Sequence, residues 1–214
     1  MESQRIISLG PAEIRQALKV AKARYERHRN SSYAHYPNAP VGHLRGALGE
    51  QAVKKWLEGL GCSFEDRALV GKDSPPDFLV RGAQGQLGIE VKTWSSAHWE
   101  RLGRCISPKQ YELFSQNNVD ILLWAILDEI DEEGRGFLGR NDQPWEEIER
   151  KLEEVIDEGL EVILPGWVWL VEVEEWGEAR LTGYPGREIL NHQAPNEGQP
   201  IVRLERLLKR YYKI

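Results

Sequence analysis

Residues 76–92 read PDFLVRGAQGQLGIEVK, two apolar runs separated by a glycine-rich turn. Asp77 opens an apolar run (Phe78, Leu79, Val80), a Gly/Gln-rich turn follows, and residues 87–92 read as the return strand. Side chains on a strand alternate faces, so Glu90 and Lys92 point one way while Ile89 and Val91 point the other. A hairpin then carries Asp77 beside that pair and gathers two carboxylates and one ammonium in a small space. Such acids suit a hard divalent cation, and the lysine suits an attacking water or the charge that develops on a phosphate. The bland alternative is a turn-capping aspartate and an ordinary solvent-facing ion pair.

Outward from the hairpin, apolar spacing predicts helices over 11–29 and 41–60, the second closed by Gly59 and Gly61. Residues 30–40 are loop by composition, and a strand is expected over 63–70. Residues 93–106 read as irregular, and Ser107-Pro108 opens a helix to about residue 117. A continuous apolar run makes 120–128 a buried strand. A helix over 145–158, strands over 167–174 and 179–184, and a helix over 201–212 complete the order. The domain reading is a basic helix and loop over 1–40, a core over 41–190 with an acidic helical insertion near 128–161, and a basic C-terminal helix over 191–214. Mixed strands and helices in this order predict an α/β protein, a mixed sheet with helices on its faces.

The composition, 41% hydrophobic and 29% charged, excludes a disordered chain. The apolar runs at 121–127 and 167–171 are too short to cross a bilayer, so no membrane partner is expected. The opening MESQRIISLG lacks the basic-then-apolar pattern of a signal peptide, and two cysteines cannot build a disulfide framework. A cytoplasmic location is the natural expectation. The net charge of −6 hides a segregation: residues 1–55 carry ten Lys/Arg against four Asp/Glu, whereas 128–161 carry four against fourteen. Basic ends remain compatible with a DNA partner, although a basic helix is usually just a solvated one.

Gly49-Glu50-Gln51-Ala52-Val53 on a helix, Pro76-Asp77 at a strand and Glu90-Val91-Lys92 on the next together resemble the PD-(D/E)XK nuclease superfamily. Restriction endonucleases, archaeal-type Holliday-junction resolvases and RecB-like nucleases belong to it. The likeness covers roughly residues 41–130. It implies a restriction-endonuclease-like fold, a central mixed β-sheet flanked by helices. It also implies that Asp77 and Glu90 ligate Mg2+, with Mn2+ as a substitute, aided by the backbone carbonyl of Val91. Lys92 would orient or activate water, and Glu50 would help to hold the metal or its waters. Gln110 stands where some members keep a polar site residue. The RecB-like Gln-x-x-x-Tyr pattern is absent, because position 114 is Phe.

Trp94, Trp99, Arg101, Arg104 and Lys109 follow the motif strand, an interleaving that could stack on bases and hold phosphates. For each tryptophan taken singly, packing is the commoner role. Arg45, on the Glu50 helix, is a further phosphate candidate. The glycine run at 134–139 matches a dinucleotide fingerprint but sits among acids that would repel a pyrophosphate, so it is read as chance. The histidines show no metal-ligand spacing. The functional expectation is a Mg2+-dependent endonuclease that hydrolyses DNA phosphodiester bonds by metal-activated water. A homodimer would supply two active sites for a palindromic or junction cut. The alternative is a catalytically silent module of the same fold that binds nucleic acid or protein.

Overall fold

The computed structural model describes residues 4–28, 39–67, 75–83, 85–127, 138, 143–176, 180–181, 188–191 and 199–212. In chain order the elements are β1 (Arg5–Leu9), α1 (Pro11–His28), α2 (Pro40–Leu60), β2 (Ser63–Asp66), β3 (Phe78–Gly82), β4 (Gly85–Ser95), α3 (Ser96–Leu102) and β5 (Cys105–Ile106). Then follow α4 (Pro108–Gln116), β6 (Ile121–Leu127), α5 (Trp145–Val155), β7 (Leu160–Trp169), a 3-10 helix (Leu170–Trp176), β8 (Arg180–Leu181), β9 (Glu188–Asn191) and α6 (Ile201–Tyr211). The chain is an α/β protein. Six strands form one mixed sheet in the order β1-β7-β6-β4-β3-β2, in which β4 and β6 run parallel and the other neighbours antiparallel. The short strands β5, β9 and β8 make a second, three-stranded sheet.

Alternation along β4 sorts its side chains between two cores. Ile89 and Val91 enter a large apolar cluster with Leu44, Leu48, Val53, Ile121 and Leu123. Their neighbours Glu90 and Lys92 face the other way, beside register partners Leu122 and Trp124, which belong to a second cluster with Phe114 and Trp176. Helix α2 begins with a first-turn proline and ends at Gly61, whose φ of 72° lets its N–H reach Glu58 O at 2.9 Å. Helices α5 and α6 do not stand apart: Ile148, Leu152, Ile201, Leu204 and Leu208 are buried in the large cluster.

The hairpin of β3 and β4 pairs Phe78 with Ile89 and Gly82 with Gly85. Asp120 fixes the start of β6 against it: its N–H donates to Gly88 O at 2.9 Å, and its carboxylate accepts from Gly88 N at 2.7 Å. Helix α2 packs tightly on β4 at Gly49, where an added Cβ would fall 2.0 Å from Thr93 Oγ1 and 3.0 Å from Thr93 Cβ. Gly49→Ala is therefore expected to force the helix off the sheet and cost about 1–3 kcal/mol of folding stability, as overpacking does. Urea denaturation checks this, and Gly49→Ala with Thr93→Ala should recover part of the loss.

Four expectations need correction. β1 was not anticipated. Residues 93–106 are not irregular: β4 continues to Ser95, whose side chain caps α3 by accepting from His98 N at 3.3 Å, and β5 follows. The strand expected over 167–174 instead starts at Leu160 and ends at Trp169, after which the chain turns into the 3-10 helix. Within β7 the ladder steps from Trp124↔Gly166 to Ile126↔Ile163, a bulge that accommodates Pro165. β9 was also missed. The loop read at 30–40 (up to residue 38), the segment 68–70, the span 128–142 apart from Leu138 and the glycine run within it lie outside the described residues. Among the described residues, no helix is long and apolar enough to cross a membrane.

Candidate active site

The β3–β4 ladder stops at Phe78↔Ile89, and Asp77 and Glu90 are the next residues on either side. There the Asp77 carboxylate replaces a strand neighbour: its Oδ2 accepts from Val91 N at 2.8 Å. A residue's N–H and C=O leave an extended strand on the same side. The Val91 carbonyl therefore faces the same edge as its amide, toward Asp77. Glu90 is buried; its Oε1 accepts from Lys92 Nζ at 2.7 Å, while its Oε2 is enclosed and has no hydrogen-bond partner. The Lys92 ammonium lies 4.5 Å from the centroid of the Phe114 ring, an arrangement the ring's negative face favours.

Glu50 completes the acids. Next to Gly49, where α2 packs tightly on β4, its side chain is 9% exposed. Arg24, from α1, grips it with a fork: Nη1 donates to Oε1 and Nη2 to Oε2, both at 2.6 Å. The three carboxylates feel one another. Burial pushes Glu50 up to about 8, helped by the negative charge of Asp77 and opposed by Arg24. Burial and the Asp77 charge likewise push Glu90 up to about 7 against the pull of Lys92. Asp77 is raised by burial, with Lys92, the Val91 N–H and Arg24 holding it down. Mutual elevation of this kind marks acids crowded into one poorly hydrated space.

Asp77, Glu90, Lys92 and Glu50 are thus brought together. Arg24 was missed by sequence reasoning, although it continues the buried stripe of Ile14, Ala17 and Ala21 at helical spacing. The fit of a divalent cation rests on Glu90 Oε2, a buried acceptor without a partner, and on a donor set made only of hard oxygens. Among the described residues no group of three or more His, Cys, Asp or Glu is arranged to hold a metal ion.

The nucleic-acid candidates divide. Arg101 and Lys109 are exposed, and Arg45 is half-buried. Burial, joined by the charges of Arg45 and Arg101, holds His98 below its ordinary value. The His98 ring stacks on Trp94 at 5.8 Å, and Trp94 and Trp99 both pack against the second apolar cluster. Arg104 is buried 5.4 Å from the Trp99 ring, with burial lowering it to about 10, so its guanidinium lies inside the protein rather than on a phosphate-facing surface. The Gln110 side chain closes a capping box on α4, its Oε1 accepting from Ser107 N at 3.0 Å. Part of the basic excess of the N-terminal region is neutralised within the fold, since Lys22 pairs with Glu149 at 2.6 Å and Arg24 with Glu50. No protein-family model, no curated protein and no solved structure matches this chain.

Proposed function

We propose that the chain is a magnesium-dependent nuclease with a restriction-endonuclease-like core, hydrolysing phosphodiester bonds in DNA. The observation that carries this reading is the meeting of Asp77, Glu90 and Lys92 where β3 parts from β4, with an unpartnered carboxylate oxygen among them. Asp77 and Glu90 would hold the cation with the Val91 carbonyl, and Glu50 would hold its waters. Bound magnesium would supply positive charge against the phosphate oxygens. Lys92, anchored by Glu90 and Phe114, would donate a hydrogen bond to the attacking water or to the developing oxyanion. Arg45, Trp94, Arg101 and Lys109 would line the DNA approach, and a homodimer would set two such sites across a two-fold axis.

The competing reading, a silent binding module, draws on the ion pairs that already occupy Glu50 and Glu90. Linear, nicked and branched DNA incubated with the protein separates the two. The nuclease reading expects fragments with magnesium and none with chelator. Intact DNA across all substrates and with both magnesium and manganese would overturn it.

A further inference from the structure

We infer that Arg24, outside the stretch that carries the motif, is a positioning residue of the acid site: its guanidinium fork fixes the Glu50 carboxylate and supplies the positive charge that lets three carboxylates share one buried space. The inference deepens the nuclease reading and rests on it for the purpose the positioning serves. Its geometry stands apart from that reading. Two hydrogen bonds of 2.6 Å to the two oxygens of one carboxylate fix both the distance and the plane of the group. Both partners are largely shielded, at 14% and 9% exposure, so the pair is not a casual surface contact.

Arg24 reaches Glu50 because α1 packs along α2. Ala17 and Ala21 on α1 are fully buried. The same guanidinium charge also acts on Asp77 and Glu90, so one arginine opposes the repulsion of all three acids. Lys92 also acts on Glu90 and Asp77, and Asp66, itself paired with Lys54 at 3.1 Å, adds a further negative charge near Asp77. An arginine suits this duty because its charge is permanent and its fork matches a carboxylate plane, whereas a lysine offers only a point charge. Groups that orient metal-holding residues commonly change metal affinity 10–100-fold when removed.

Two measurements on the full chain test the assignment. In the first, at alkaline pH where the acids are ionised, with chelator present and no DNA, urea midpoints are compared for wild type, Arg24→Gln, Glu50→Gln and the double variant. Charge compensation expects the double variant to unfold at higher urea than Arg24→Gln alone, since removing one acid relieves the uncompensated cluster. Additive losses, or a double variant weaker than Arg24→Gln, would overturn it. In the second, calorimetry with Mn2+ alone expects Arg24→Gln to bind about tenfold more weakly than wild type. Arg24→Lys should recover the urea midpoint more fully than the Mn2+ affinity, because it restores charge without the fork. Binding by Arg24→Gln as tight as wild type or tighter would overturn the positioning role. Should Arg24→Gln fail to fold, Arg24→Lys and Glu50→Gln carry both arms. Absence of Mn2+ uptake by wild type would count against the nuclease reading, and the chelator arm would still decide the role of Arg24.

Discussion

Lys92→Met is expected to lower magnesium-dependent DNA cleavage by about 10²–10³-fold in kcat, with a much smaller change in KM. Removing a preorganised charge that acts on the developing oxyanion costs that much in other hydrolytic sites, and the loss falls on the transition state rather than on substrate binding. The Lys92 ammonium has the placement for this duty. It is held 2.7 Å from Glu90 Oε1 and 4.5 Å from the Phe114 ring centroid, so little reorganisation is needed at the moment of reaction. Asp77→Asn should abolish cleavage to a similar extent while retaining a hydrogen bond to Val91 N, because the amide oxygen still accepts but the charge for a cation is gone. Single-turnover assays on a cleaved substrate check both, and equal rates in wild type and either variant would contradict the roles given.

The second large effect is on stability against pH. Glu50 and Glu90 titrate in the folded protein near 8 and 7, against 4.5 for the unconstrained side chain. Between these values the folded state keeps protons that the unfolded chain has released. The stability these groups contribute is fully present below about pH 4.5 and is lost as pH rises through 7 to 8. For two interacting buried acids the loss is on the order of several kcal/mol. Glu13 and Glu205 act in the opposite sense on the acid side, since Lys55 and Arg5 hold their carboxyls low and that contribution disappears as pH falls. With chelator, thermal midpoints should therefore decline from pH 5.5 to pH 8.5. Magnesium should reverse the decline, because the cation needs the deprotonated acids and stabilises the state that binds it, by about 2.7 kcal/mol at a hundredfold excess over Kd. A midpoint that climbs across this window in chelator, or a magnesium effect as large at pH 5.5 as at pH 8.5, would contradict the assignment.

The parts of the molecule legible in its sequence are those governed by local period. The β3–β4 hairpin follows from the alternation of Phe78, Val80, Ile89 and Val91, and the apolar run at Ile121–Leu127 is the buried central strand. Helix α2 follows from its apolar spacing and Gly61. What the sequence concealed depended on distant partners. β1 is five residues long, and its pairing with β7, Arg5 opposite Leu164, has no local signal. A bulge against β6 keeps β7 running through Pro165 and Gly166, and it too depends on a partner strand. In the site, Asp77, Glu90 and Lys92 are near enough in sequence for strand geometry to join them. Arg24 lies on the end of a basic helix, where an arginine ordinarily meets solvent, and only the packing of α1 on α2 carries it to Glu50.

On the nuclease reading, the carboxylates of Asp77 and Glu90 grip a divalent cation. Anomalous diffraction from a crystal soaked in Mn2+ tests it most directly. The expected result is a single strong peak in contact with Asp77 and with Glu90 Oε2, the buried oxygen without a partner, and no such peak in Asp77→Asn. A wild-type crystal with manganese bound elsewhere on the protein and none between these two side chains would contradict it.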